Sequence, residues 1–395
     1  MTVQLAPVPD HTPLPTGFRA AGVHCGLKKG GQLDLGLLLA DKAVDAAAIY
    51  TTNQLVGAHV HLCREHLRRS QGKVRAVLVN ARNANCATGE QGIADARACC
   101  AALAHRLGCP TEHVLMASTG PIGAPLPTER ILGHLDALLA AASPDGAMAF
   151  ARAIMTTDTY PKAVHHPATA GAVTGFAKGS GMIHPNMATM LGFLVTDGGT
   201  AGADPTGLLR RVADRSFHRT TVDGDTSPND TLLLLAGGTS GGSAPALEQT
   251  LTQVGQSLAR TIAADGEGAT RLVTVQVRGA RSELEATTVG RVVATSPLVK
   301  TAVAGRDPNW GRILSAAGRA GVSFPTDRAR VWVGPADVYS GGRPHPENEP
   351  LAHRHLVEGL EIVLGVDLAV GDAAADVWTC DFTADYVQIN ADYRS

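Results

Sequence analysis

The chain has 395 residues, 44% of them hydrophobic and 18% charged, a composition that supports a large buried core and excludes extended disorder away from the ends. Lysine and arginine number 34 against 36 aspartates and glutamates, a net charge of −2 with neither sign in long runs, which excludes an electrostatic case for nucleic acid or an anionic membrane surface. Residues 1–15 are proline-rich and lack the basic-then-apolar order of an export signal, no run reaches the roughly 18 apolar residues of a membrane span, and the seven cysteines show no CxxC spacing. The expectation is a cytoplasmic protein with reduced thiols.

Short apolar runs bounded by glycine and polar turns predict buried strands at 74–80 and 113–118. Between 129 and 142 the residues Ile131, Leu132, Leu135, Leu138 and Leu139 share one side of a predicted helix. A Gly-rich, Pro-broken loop from Lys178 through Gly179, Gly181 and Pro185 leads into a buried strand from Met190 to Thr196. The stretches 198–205 and 237–245, rich in Gly, Ser, Thr and Pro, read either as hinges of a smaller subdomain or as two surface loops. Leu247, Leu251, Val254, Leu258 and Ile262 recur at helical spacing, and the turn Asp265-Gly266-Glu267-Gly268 ends that helix. Beyond it Leu272, Val273, Val275 and Val277, then Val331 to Val333, Val377 to Cys380, and Val387 with Ile389 alternate like strands of a large mixed sheet. Strands and helices mixed without a fixed repeat predict an α/β or α+β protein. The 15 histidines include no HExxH, and His165-His166 and His353-Arg354-His355 lack acidic or cysteine partners at ligand spacing, so they read as surface residues and no metal is expected.

Thr189 stands between the Gly-rich loop and the apolar strand. A threonine hydroxyl attacks poorly unless a base lies beside it, and a cut in the peptide bond ahead of it turns its own α-amino group into that base. With a reference pKa of about 7.7–8.0, much of that amine is neutral near physiological pH. Read locally, the segment is equally a loop that enters a buried strand.

The run Lys178 to Leu191, KGSGMIHPNMATML, resembles the self-cleavage segment of the ornithine acetyltransferase family, also called the glutamate N-acetyltransferase or ArgJ family. The similarity continues through Pro15-Thr16-Gly17-Phe18-Arg19, Tyr50-Thr51-Thr52-Asn53, Ala117-Ser118-Thr119-Gly120, Met155-Thr156-Thr157-Asp158-Thr159, Asp265-Gly266-Glu267-Gly268-Ala269, Asp307-Pro308-Asn309-Trp310-Gly311-Arg312 and Asn390-Ala391-Asp392-Tyr393-Arg394-Ser395. The resemblance implies one fold over 1–395, a layered α/β/β/α sandwich distantly like N-terminal nucleophile hydrolases, with a smaller α/β lobe at about 200–290. It implies self-cleavage between Ala188 and Thr189 into chains 1–188 and 189–395 that stay associated, as an α2β2 heterotetramer.

The implied activity moves an acetyl group from N-acetylornithine to glutamate, through an acetyl-threonine ester on Thr189, in the acetyl cycle of arginine biosynthesis. Thr119, by its hydroxyl, and Gly120, by its backbone N–H, would stabilise the oxyanion; Thr156 or Thr157, Thr189, Asn390 and Ser395 would hold the amino acid, Lys178 would pair with its α-carboxylate or lower the pKa of the Thr189 amine, and Glu267 would bind a substrate ammonium or orient that amine. No cofactor is implied, with acetyl-CoA as an alternative donor. One departure is Asn80-Ala81-Arg82-Asn83-Ala84-Asn85, where the family form places Ser-Gly before Asn-Ala-Asn; another is the altered middle of Thr221 to Asp230. Both keep open a secondary-metabolism acyltransferase, or an amidase or hydrolase of the same fold acting on another N-acyl amino acid. The Asp307 to Arg312 motif carries no catalytic role and reads as a packing turn that orders the site.

Overall fold

The computed structural model describes residues 4, 8–184, 190–200 and 202–392. Its first half comprises β1 (Phe18–Val23), β2 (Leu35–Tyr50), α1 (Ala58–Arg69), β3 (Lys73–Asn80), α2 (Gly89–Leu107), β4 (Val114–Ser118), α3 (Thr128–Gly133), α4 (Leu135–Ala140), α5 (Ala147–Ala153), β5 (Lys162–His166) and β6 (Val173–Lys178). There follow β7 (Leu191–Gly198), α6 (Pro205–Asp214), β8 (Thr231–Ser240), α7 (Ala244–Ala264), β9 (Leu272–Ala280), α8 (Glu283–Ala294), α9 (Pro297–Ala304) and α10 (Trp310–Gly318). The chain ends with β10 (Arg330–Val333), β11 (Ala336–Ser340), β12 (Arg343–Pro344), α11 (Glu349–Glu358), β13 (Glu361–Asp367), β14 (Ala373–Cys380) and α12 (Ala384–Asp392).

An eight-stranded sheet runs β4-β3-β2-β8-β7-β6-β5, with β1 paired to β2 off that path. The long β2 folds this sheet over. Its first half pairs with β1 and β3, its second half with β8, and its register against β3 shifts between Leu39 and Val44, where Asp41 and Lys42 are exposed. Successive strand residues point to opposite faces, so the alternation assigns each side chain its layer. Leu35, Leu37 and Leu39 join a core with α2, α3 and α4, whereas Leu38 and Ala40 join an inner core with Phe193, Leu233 and Leu235. On the other layer, Leu232 and Leu234 face the opposite way, toward Leu208 and Leu209 of α6 and Leu251 and Val254 of α7. The outcome is helix, sheet, sheet, helix, the expected α/β/β/α sandwich. Phe150 of α5 fills the inner core, its ring edge-on to Phe176 and Phe193 with centroids 5.1 and 5.3 Å away.

A second sheet, β12-β11-β10-β13-β9-β14, carries α8, α10 and α11 over a core that includes Val275, Val331 and Val366. Helix α7 packs against β5 and β6 and also against β14. The stretch 200–290, expected as the smaller lobe, is divided between the two sheets: β8 runs between β2 and β7, while β9 and α8 belong to the second sheet. The smaller α/β unit is that second sheet with its helices.

Two further expectations change. The helix expected at 129–142 is two short helices, because the chain breaks its helical angles at His134 (φ −111, ψ 2) directly after the weak helix former Gly133. Val387 and Ile389 lie on α12, not on a strand, and stay 62% and 38% exposed. Two alternating residues are too few to specify a strand, and the Thr383 hydroxyl accepts the Asp385 N–H at 3.2 Å at the start of the helix instead.

Candidate active site

Strands β3 and β4 are parallel and end together, Asn80 opposite Ser118. Past these ends the Thr119 N–H donates to the Asn80 carbonyl (3.1 Å) and the Asn83 N–H donates to the Thr119 carbonyl (2.9 Å). Gly120 follows with φ +140, and a Cβ there would lie 2.4 Å from both the Arg82 carbonyl carbon and the Asn83 nitrogen, so glycine is required on two counts. The turn is also held from β8: Asn229 Nδ2, two residues before that strand, donates to the carbonyls of Ala84 (2.5 Å) and Ser118 (2.7 Å). Neither the Thr119 hydroxyl nor the Gly120 N–H has a hydrogen-bond partner among the described residues, and both line a cleft.

Strands β6 and β7 are antiparallel, with Lys178 opposite Leu191, so both ends of the loop between them return to the same sheet edge. Lys178 is buried; desolvation pushes its ammonium below the ordinary value, and the foremost opposing influence is the charge of Asp158. Gly179 takes φ +144 and its N–H donates to Asp158 Oδ1 at 2.6 Å. Gly181 serves for room, not for its backbone angles: a Cβ there would stand 2.4 Å from Glu267 Oε2. Among the described non-glycine residues of the loop, Met182 is left-handed, at φ +55. Its N–H donates to Asp223 Oδ2 (2.6 Å) and that of Ile183 donates to Asp223 Oδ1 (2.9 Å). Burial pushes the Asp223 carboxyl up to about 6. At the start of β7 the Met190 N–H donates to Asp230 Oδ1 at 3.1 Å, and burial raises that carboxyl well above its usual range.

The remaining walls come from the turn after α5 and from the end of α7. The Thr156 N–H donates to Asp158 Oδ2 (2.9 Å), and the Thr157 and Ser180 hydroxyls lie 2.7 Å apart. The Glu267 N–H donates to the Ser180 carbonyl at 2.8 Å, and Asn390 Nδ2 of α12 donates to Glu267 Oε2 at 3.0 Å. Thr119, Gly120, Thr156, Thr157, Lys178, Glu267 and Asn390, drawn from five distant stretches, therefore line one cleft of about 660 Å³ counted to its open mouth. Pro185, Ala188, Thr189 and Ser395 lie outside the described residues.

The sequence reading gave no role to Ser227 and Asn229, which also line the cleft, or to Asp158 behind it. Their only signal was membership of the Thr221 to Asp230 and Met155 to Thr159 motifs. The Asp307 to Arg312 motif does not line the cleft. Asn309 Oδ1 caps α10 by accepting the Arg312 N–H (3.1 Å), and Trp310 stacks on Tyr339 with centroids 4.9 Å apart, so the motif packs a helix end away from the cleft it was expected to order. Among the described residues no group of three His, Cys, Asp or Glu side chains is placed to hold a metal ion, and no helix is long and apolar enough to cross a membrane.

The sequence profile of the ArgJ family matches residues 19–395. The chain belongs to the ArgJ family. Among its ArgJ relatives, the arginine biosynthesis bifunctional protein ArgJ of Parasynechococcus marenigrum is 46% identical over 390 residues, covering 96% of this chain and 94% of its own. That of Geobacter sulfurreducens is 45% identical over 394 residues, covering 96% of this chain and 99% of its own. The crystal structure of the ArgJ protein from Bacillus halodurans superposes with a TM-score of 0.50 at 36% identity, all of that solved chain matching 52% of this one.

Proposed function

We propose that this ArgJ-family chain is the acetyltransferase of the arginine-biosynthetic acetyl cycle, which moves acetyl from N-acetylornithine to glutamate through an acetyl ester of Thr189. The observation that carries this reading is the convergence of the seven residues above on one cleft, at the sheet edge where β6 ends and β7 begins. Self-cleavage starts the cycle. The Thr189 hydroxyl attacks the Ala188 carbonyl, the acyl group moves from nitrogen to oxygen, and water hydrolyses the ester to leave a free α-amine on Thr189. That amine takes the hydroxyl proton as the Thr189 oxygen attacks the acetyl carbonyl, and it returns the proton to the ornithine nitrogen as the C–N bond breaks. The amine of glutamate then attacks the threonyl ester and carries the acetyl group away.

The Thr119 hydroxyl and the Gly120 N–H donate to the oxyanion in both half-reactions; a donor of this kind is worth about a hundredfold or more in rate. Lys178 faces the α-carboxylate of the amino acid, and Glu267, steadied by Asn390, faces its ammonium. By the same reading the two chains stay associated as α2β2 in the cytoplasm, and the reaction needs no cofactor, with acetyl-CoA as an alternative donor.

Intact-mass spectrometry after incubation with N-acetylornithine alone tests the reading. Two fragments split between Ala188 and Thr189, the second carrying an acetyl group, are expected. A single uncut mass in active protein removes Thr189 from the nucleophile's role. Cut fragments without the adduct, together with acetate release that glutamate does not suppress, replace transfer by hydrolysis.

A further inference from the structure

Behind the cleft wall, three charged side chains with 0% exposure are in contact: Lys162 Nζ lies 2.7 Å from Asp158 Oδ1 and 2.5 Å from Asp265 Oδ2. Burial, and after it the charge of Asp158, pushes the Asp265 carboxyl upward against the pull of Lys162, so two carboxyls against one ammonium are costly in their ionised form unless a further cation answers them. Lys178 is that cation. It is buried, and the N–H of its neighbour Gly179 donates to Asp158 Oδ1 at 2.6 Å; among the described residues no carboxylate lies within 4.0 Å of its ammonium, and the charges acting on it from further off are Asp158, Glu267 and Asp230 in favour and Lys162 against. Lys28 senses Lys178 from further off. Burial opposes ionisation of Asp158, but Lys162, Lys178 and the Gly179 N–H outweigh it and hold that carboxyl well below the usual range.

The same carboxylates hold backbone. Asp158 takes the N–H groups of Thr156 and of Gly179, the residue that follows Lys178. Asp265 takes the N–H of Thr159 (3.1 Å) and its hydroxyl, and stands two residues before Glu267. Of the cleft walls, Thr156 is bonded directly to this triad, and Lys178 and Glu267 stand one and two residues from backbone or side chains that belong to it.

We propose that Asp158, through its triad with Lys162 and Asp265, is a positioning residue that keeps Lys178 charged and in place for the carboxylate of the substrate amino acid. The proposal rests on the reading of Lys178 as the partner of that carboxylate. A lysine desolvated this deeply gives up its proton readily unless a fixed negative charge stands beside it. The triad is such a charge, and its own hydrogen bonds prevent it from turning away.

The test is the pH dependence of KM and kcat for N-acetylornithine, measured on mature protein carrying D158N, D265N or K178M. In the wild type KM is expected to rise on the alkaline side as Lys178 loses its proton. D158N is expected to move that rise down by about one pH unit, a tenfold higher KM at a pH between the two turning points, with kcat below it held within about threefold. D265N leaves the bonds of Asp158 to Thr156 and Gly179 intact and moves the rise in the same direction by less. A purely structural triad would lower the melting temperature of both variants and leave the turning point where it is. An unmoved turning point in folded D158N overturns the proposal; where D158N yields no soluble protein, an unmoved turning point in D265N does so. K178M separates the two readings: unchanged KM there removes Lys178 as the carboxylate partner, whereas raised KM beside an unmoved D158N profile removes only the role of the triad.

Discussion

Gly120→Ala is the substitution for which the structure gives the firmest arithmetic. The new Cβ would lie 2.4 Å from the Arg82 carbonyl carbon and the Asn83 nitrogen and 2.6 Å from the Arg82 Cα, where ordinary contact begins at 3.4 Å. All three are backbone atoms, so no rotamer change relieves the overlap and the turn moves by about 1 Å. The φ of +140 adds strain for any residue with a side chain, about 1–3 kcal/mol, and the overpacking adds a similar amount. The turn resists displacement, because Thr119 is paired with Asn80 and Asn83 and the Asn229 amide pins Ser118 and Ala84. We therefore expect a loss of about 2–6 kcal/mol in unfolding free energy, the sum of those two penalties. In the surviving folded fraction kcat is expected to fall about a hundredfold or more, as the Gly120 N–H leaves the oxyanion position. Denaturant unfolding and acetyl transfer measured on the same preparation check both figures. An alanine variant with wild-type stability and kcat within about threefold of wild type would refute the geometry and the oxyanion assignment together.

Thr119→Ala removes a hydroxyl that has no partner among the described residues, so stability should hold while the rate of acetyl transfer falls about a hundredfold; loss of stability with unchanged turnover reverses the assignment. Asn229→Ala leaves the buried carbonyls of Ala84 and Ser118 without their donor, which should cost about 1–3 kcal/mol in a denaturant melt and slow transfer through the displaced turn; a neutral melt would show that these two bonds do not hold it. For Asp223, pushed up to about 6 by burial, the fold favours the protonated form. The stability from this group is complete below the ordinary carboxyl value, drains away as pH rises from about 4 to about 6, and amounts to about 3 kcal/mol. The difference in unfolding free energy between the wild type and Asp223→Asn should fall across that window, and a flat difference would place the carboxyl in its ordinary range.

Periodicity revealed the elements with one clean apolar face. Leu247, Leu251, Val254, Leu258 and Ile262 are all buried on α7, and the strands at 74–80 and 113–118 became β3 and β4. It was blind to the fold-over of β2, because Leu35 to Leu39 are apolar at every side-chain position and both faces are buried. Nor did it reach α12, whose Val387 and Ile389 bury little. The cleft was legible only through motifs. Lys162 and Asp265 are 103 residues apart and Asn229 and Ser118 are 111 apart, so no local pattern relates them. Gly181 illustrates the limit: its presence in the loop was foreseen, but the reason, a carboxylate 2.4 Å from where its Cβ would stand, belongs to tertiary contact.

The departure at Arg82 takes on a physical meaning in this light. Where the family form places glycine, this chain puts an exposed arginine at φ +65, and Asn85 (φ 45) and Ala87 (φ 57) repeat the left-handed conformation within the same loop. Each such residue costs about 1 kcal/mol relative to glycine, so the loop is held by its surroundings and not by local preference. Those holds are present: the Asn85 N–H donates to Asn83 Oδ1 (2.8 Å), Asn85 Nδ2 donates to the Gly92 carbonyl (2.8 Å), and the Asn85 carbonyl accepts the Ala58 N–H (2.9 Å). Met182 repeats the arrangement on the opposite wall, left-handed and held by Asp223. Unfavourable backbone beside the cleft is thus matched on each side by a polar side chain, Asn83 or Asp223, that satisfies the N–H groups the conformation leaves over. The rigid sandwich behind supplies the packing that keeps these side chains in place, which is why a loop of this kind can stand against the Thr119–Gly120 turn without collapsing onto it.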